Sequence, residues 1–173
     1  GVCMAYIVHV APGLEGGDPV CQEDQLGSCK GLLVEQCSKF VSTVVLVFAD
    51  ALVPDAKTSI VGADAIPDGW QGLDTGPATR KAFAEVIATA RTVFWNGPVG
   101  VFEMDAFSAG TKAVADAIAD GSSFSVVGGG DSAAAVRTLG VDEAGFTHIS
   151  TGGGASLEFL EGAELPGLAV LEG

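Results

Sequence analysis

Positive charge is scarce in this chain. Eight Lys and Arg residues stand against 22 Asp and Glu, a formal net charge of -14. No cluster of bases is present to neutralise a nucleic-acid backbone, so the expectation is no nucleic-acid partner. A phosphate ligand is still allowed, because backbone amides and a divalent cation can bind one locally. A second phosphorylated substrate would need basic residues from elsewhere. Cysteine chemistry is equally thin. Cys3, Cys21, Cys29 and Cys37 form no C-x-x-C, and neither His lies at ligand spacing, which argues against a zinc site or a redox motif. The chain is long, helical in pattern and without a secretory signal pattern, so free, buried thiols in an intracellular protein are expected. No apolar run approaches the ~20 residues that span a bilayer. The expectation is therefore a soluble, cytoplasmic protein with no membrane partner. A Gly-x-x-x-x-Gly-Lys-Ser/Thr loop is absent, which excludes a P-loop protein.

What is present reads as a folding sequence. The 173 residues are 48% hydrophobic, with mean hydropathy +0.43. That suffices for one domain with its own core, and no repeat or linker divides it. The chain opens on Gly1 inside an apolar run, which reads as the start of a partial chain. By propensity residues 1–12 form a strand ended by Pro12. Gln22 to Ser38 has helical spacing, and Val41–Ala49 is a β-branched run fit for a strand buried on both faces. Pro54–Thr58 reads as a turn, Ser59–Gly62 as a short strand, and Ile66–Pro77 as a loop of turn residues. Pro77 opens a helix that runs through Ala78–Arg91. Thr92–Trp95 is a strand, Ala106–Asp120 a helix, Phe124–Val127 a strand followed by a helix to Leu139, and Thr147–Thr151 a last strand. A helix at Leu157–Glu161 and an irregular tail close the chain. This alternation predicts an α/β fold, a Rossmann-like parallel sheet with helices on both faces in three layers.

Ligands of such sheets bind beyond the carboxyl ends of the strands. Three turns fall there: Asn96–Gly100, Gly128–Ser132 and Gly152–Ser156. The second has three glycines before Asp131 and Ser132 at a helix start. Glycines let a phosphate approach the backbone, and the first-turn N–H groups with the helix dipole favour an anion. Asp131 is either a helix-terminal acid complementing the dipole or a ligand for nucleotide-bound Mg²⁺. Glu103 either caps a helix or holds ribose hydroxyls, and Asn96 either stabilises a turn or serves the ligand. His9, His148, Trp70 and Trp95 read as structural. Gly128-x-Gly130-x-x-Ala133 also satisfies a dinucleotide fingerprint, but Asp142 and Glu143 come too early for its acidic partner.

Taken together, Trp95-Asn96-Gly97-Pro98-Val99-Gly100-Val101-Phe102-Glu103, Gly128-Gly129-Gly130-Asp131-Ser132 and Ser150-Thr151-Gly152-Gly153-Gly154-Ala155-Ser156-Leu157-Glu158 resemble the signature loops of phosphoglycerate kinases, in order and spacing. Asp55–Thr58, Asp64–Trp70, Gly72-Leu73-Asp74 and the tail from Leu160 to Gly167 add to the match. The resemblance implies reversible phosphoryl transfer between ATP and 3-phosphoglycerate in glycolysis. Residues 1–173 would be most of the carboxyl-terminal, nucleotide-binding domain, without the phosphoglycerate-holding domain, acting as a monomer. Carried over by position, Gly72, Leu73 and Val101 would line the adenine site, and Glu103 would take the ribose hydroxyls. Asn96 would sit by the phosphate chain of ATP or ADP. Gly129, Gly130 and Ser132 would serve phosphate and Asp131 would serve Mg²⁺. Gly152, Gly153 and Gly154 would face the phosphoryl group in flight.

The chain departs from the family pattern at Val2 and Cys3, where the family has glycines, at Gly17-Asp18-Pro19, and at Ser42–Val45. The resemblance also implies a helix over Cys3–Val10, preferred here to the strand that propensity gives. Two rivals stand beside the enzyme reading. One is a truncated or diverged module that binds nucleotide without catalysis of its own. The other is a dinucleotide-binding oxidoreductase domain, resting on the fingerprint alone.

Overall fold

The computed structural model describes residues 6–9, 45–62, 68–160 and 162–171. The four cysteines, Val2, the Gln22–Ser38 segment and Ser42–Val44 lie outside them. Among the described residues, seven strands form two sheets. In the first, β1 (Tyr6–His9), β5 (Thr92–Asn96), β6 (Phe124–Gly128) and β7 (His148–Ser150) lie side by side in that order. The ladders β5–β6 and β6–β7 are parallel, with Trp95 opposite Val127 and Gly128 opposite Ser150. In the second, β2 (Val45–Ala49) is flanked by β3 (Thr58–Gly62) and β4 (Gln71–Thr75), both antiparallel to it.

The connections explain the two kinds of ladder. Between β5 and β6 the chain returns through α2 (Ala109–Ala119), and between β6 and β7 through α3 (Gly130–Thr138). Helical crossovers bring the next strand back parallel, whereas the short 50–57 turn between β2 and β3 allows only antiparallel pairing.

Side chains alternate across β5. Val93 and Trp95 face a core built with Ile87 of α1 (Pro77–Thr89), Val114, Ala115 and Ile118 of α2, and Ala135 and Val136 of α3. Phe94 points to the other face, where it lines an apolar groove of about 450 Å³ with Val126, Phe159, Leu165 and Leu168. That face carries α4 (Gly153–Leu160) and the short α5 (Pro166–Ala169). Helices thus flank the parallel strands on both faces, as expected. A smaller core joins Ala49, Leu73 and Phe107 with Val47, Val101 and Met104, where the antiparallel sheet meets the loop after β5.

Several expectations need correction. Tyr6–His9 is a strand, antiparallel to β5, so these residues do not form the preferred helix and the propensity of Ile7 and Val8 prevails there. The strand β1 makes the larger sheet mixed; among the described residues the smaller sheet is antiparallel and parallel pairing is confined to β5–β7. The stretch read as a loop contains β4, because pairing with β2 and burial of Leu73, Asp74 and Thr75 outweigh their turn-like neighbours. Helix α4 starts at Gly153, four residues before the expected Leu157, and the tail contains α5 with Pro166 in its first turn.

The two faces should differ in mutational cost. Ile118→Ala, at a side chain 1% exposed, should destabilise by about 2–5 kcal/mol. Phe159→Ala, at a side chain 60% exposed, should change stability by no more than about 0.5 kcal/mol. Urea midpoints of the two variants check this; equal midpoints would contradict the assignment of the core to the α1–α2–α3 face.

Candidate nucleotide site

Strands β5, β6 and β7 are parallel neighbours, so their carboxyl ends emerge side by side. The turns that follow them touch. Gly129 leaves β6 at φ 94, a left-handed backbone that favours glycine, and its N–H donates to Ser150 O at 2.9 Å. A Cβ built on Gly153 would lie 2.7 Å from Gly129 Cα and 2.9 Å from Gly129 N. One built on Gly129 would lie 2.7 Å from Asn96 Oδ1. Two backbones and the Asn96 side chain therefore close on one another only because glycine occupies both backbone positions.

This contact sets two helix N-termini together. Helix α3 makes its first helical bond from Ala133 N–H to Gly129 O, and α4 from Ser156 N–H to Gly152 O. The N–H groups of Gly130, Asp131 and Ser132, and of Gly153, Gly154 and Ala155, precede those bonds and have no acceptor within their own helix. Gly129, the residue before α3, has no side chain to cap it. The helix dipoles add partial positive charge at the same place. Asp131 is exposed in the first turn of α3. Ser132 is fully buried, and its Oγ accepts from Gly97 N–H at 2.7 Å. It ties the β5 turn to the β6 turn. Gly152 and Gly154 are exposed and Gly153 is buried against Gly129.

The other expected residues gather at the smaller core. Val101 N–H donates to Leu73 O at 2.9 Å, with Gly72 exposed beside Leu73 on β4 and Glu103 exposed two residues beyond Val101. The loop leaving β5 joins the two groups. It is pinned by Ser132 at Gly97, by Trp95 Nε1–H donating to Gly97 O at 2.8 Å, and by Leu73 at Val101. Between these pins, Thr111 Oγ1 accepts from both Val99 N–H and Gly100 N–H at 3.2 Å.

Thr111, which did not stand out in the sequence, and Asp74, which stood there in the Gly72-Leu73-Asp74 match without a role, carry this arrangement. Asp74, 3% exposed, accepts from Gly110 N–H with both carboxylate oxygens at 3.1 and 2.9 Å, and Arg80 lies 4.0 Å away. Burial pushes its carboxyl up from the ordinary value. Hydrogen bonds from Gly110 and Thr75, the Arg80 charge and a hydrogen bond from Ala109 pull the other way. The one available signal was an acid set beside apolar Leu73; its partners lie far along the chain.

Among the described residues, no group of three or more His, Cys, Asp or Glu side chains could hold a metal ion. The donor set at α3 is one exposed carboxylate beside unpaired amides. That fits a cation which takes its remaining ligands from phosphate oxygens and water.

A family model described as phosphoglycerate kinase matches residues 1–163. A phosphoglycerate kinase of Parafrankia sp. (strain EAN1pec) is 55% identical over 172 residues, covering 99% of this chain and 42% of that protein. One from Corynebacterium aurimucosum is 58% identical over 173 residues, covering 98% of this chain and 43% of that protein. Among solved structures, phosphoglycerate kinase from Coxiella burnetii superposes with a TM-score of 0.69 at 37% identity, over 90% of this chain and 41% of that one. The chain thus spans about 42% of the length of the relatives it matches.

Two outcomes follow from the geometry. Gly153→Ala should cost about 1–3 kcal/mol by forcing the turns apart. Gly154→Ala, with nothing within 4 Å of its Cβ, should be neutral or stabilise by up to about 1 kcal/mol. Thermal melts distinguish them. For Asp74, the folded value lies above the ordinary 3.8. Its titration therefore favours folding below that ordinary value, and the contribution is lost as pH rises through the raised one. The stability difference between wild type and Asp74→Asn should fall as pH rises across that interval; a flat difference would contradict the burial effect.

Proposed function

The chain belongs to the phosphoglycerate kinase family, and on that premise we propose that it supplies the Mg-nucleotide half of a reversible phosphoryl transfer between ATP and 3-phosphoglycerate. The reading includes glycolysis in the cytoplasm, action as a monomer, and residues 1–173 as most of the carboxyl-terminal, nucleotide-binding domain. The observation that carries it is the Gly129–Gly153 contact, which sets two helix N-termini side by side. Phosphoryl transfer needs positioning and charge stabilisation more than a covalent catalyst, and opposed amide clusters provide both.

In this proposal Leu73, Gly72 and Val101 take the adenine, and Glu103 takes the ribose hydroxyls. Asn96, Gly129 and Gly130 face the phosphates, and Gly152, Gly153 and Gly154 face the transferred group. Ser132 serves phosphate indirectly: its oxygen accepts from Gly97 N–H and fixes the spacing of two phosphate loops. Asp131 would hold Mg²⁺, which when bound offsets phosphate charge and orients the phosphate oxygens.

A second reading has its own support: nucleotide binding without turnover by this chain alone. Four described cations already meet carboxylates, in Arg80–Asp74, Lys81–Glu85, Lys112–Asp116 and Arg137–Glu143. A phosphorylated three-carbon acid would require positive charge from outside these pairs.

Calorimetry separates the readings. The folded 173-residue chain should bind MgADP and give no heat with NAD; no heat with MgADP would reject the nucleotide site. Asp131→Asn should weaken MgADP binding roughly tenfold or more and leave Mg-free ADP unaffected. A coupled assay with ATP and 3-phosphoglycerate should show no turnover by this chain alone, and measurable turnover would exclude the second reading.

A further inference from the structure

Thr111 is buried in the first turn of α2 and belongs to none of the motifs described above. Its side chain is 0% exposed, yet it is polar. A hydroxyl oxygen has two lone pairs, and Oγ1 receives two backbone donors, Val99 N–H and Gly100 N–H, each at 3.2 Å. These donors belong to the middle of the loop that leaves β5. On one side of them, Gly97 N–H is held by Ser132 Oγ; on the other, Val101 N–H is held by Leu73 O. The two outer pins belong to different parts of the proposed site, one beside the phosphate turns and one at the apolar wall. The middle pin fixes the loop between them.

We propose that Thr111 is a positioning residue that sets the apolar base wall at Leu73 and Val101 against the phosphate turns, by holding Val99 and Gly100 on α2. It touches no ligand and acts through the loop backbone. The proposal rests on the nucleotide reading above for its consequence in binding, but the latch itself stands on the hydrogen bonds.

The chemistry makes a specific demand. Valine has nearly the shape of threonine and no acceptor, so Thr111→Val preserves packing while leaving two part-buried donors unpaired. The loop would then shift to find other partners, and the wall would move relative to the phosphate turns. A ligand that spans both should lose affinity, and a ligand that uses only the phosphate turns should not. Serine keeps the acceptor and loses one methyl group, so Thr111→Ser should behave as wild type.

The test uses the 173-residue chain and its Thr111→Val and Thr111→Ser variants. Calorimetry measures MgADP and magnesium tripolyphosphate, and amide hydrogen exchange follows Val99, Gly100 and Val101, with Leu139 N–H, bonded to Ala135 O inside the α3 end, as reference. Thr111→Val should weaken MgADP about tenfold and leave tripolyphosphate unchanged. Exchange at Val99, Gly100 and Val101 should quicken about tenfold relative to Leu139. Thr111→Ser should restore both. Equal losses for the two ligands, equal acceleration at all four amides, unchanged exchange in Thr111→Val, or failure of serine to rescue would each overturn the proposal. If wild type binds neither ligand, the nucleotide reading fails by itself, and the exchange pattern still decides whether Thr111 holds the loop.

Discussion

A buried carboxylate joins the two halves of this structure. Asp74 is the penultimate residue of β4 in the antiparallel sheet, and both its oxygens accept from the N–H of Gly110 in the first turn of α2. Helix α2 packs with Val114, Ala115 and Ile118 against the parallel strands. Its N-cap, Ser108, makes no side-chain capping bond, so Asp74 serves the open helix end from across the fold. The arrangement dictates its neighbours. A Cβ on Gly100 or Gly110 would collide with Asp74 Oδ1, so both positions need the residue without one. A buried charge satisfied in this way is costly to leave without its partners. The sheet bearing Leu73 is thereby fixed to the helix whose Thr111 holds the loop after β5.

The phosphate side follows a different logic. There no charge is buried; the backbones themselves approach. Gly129 and Gly153 bring two helix ends within van der Waals distance, and Asn96 fills the remaining space with an oxygen. Such a surface offers amide donors at fixed spacing and little reorganisation, which is what the proposed phosphoryl transfer rewards. The chain's negative balance is compatible with the proposed phosphate site, since backbone dipoles and not side-chain cations would supply the attraction.

The organisation of the site was legible in the sequence where local chemistry dictates it. Glycine runs between a β-branched strand and an alanine-rich segment have few readings, and all three turns expected at carboxyl ends lie there. Features made by distant pairing were not legible. Gly72, Asp74 and Thr75 look like turn residues until β2 pairs beside them. Asp74 finds Gly110 and Thr111 finds Val99 only after the chain has folded, and no spacing announces either pair. Ser132 showed its position but not its direction: a hydroxyl after three glycines suggests an outward role, whereas it points inward to Gly97. At Tyr6–His9 family likeness and propensity disagreed, and the β-branched run prevailed.

The pairing of β1 has a kinetic meaning. Tyr6 lies opposite Asn96, across more than half the chain, whereas β5, β6 and β7 meet neighbours that follow them at one helix's remove. Closing a longer loop costs more chain entropy before any contact offsets it, and distant contacts slow folding. Contact order therefore favours the parallel trio and its helices as the nucleus, with β1 expected to pair with β5 late. If unfolding retraces that order, β1 is expected to leave before the parallel strands. It leaves bare the edge of β5, whose last residue is Asn96.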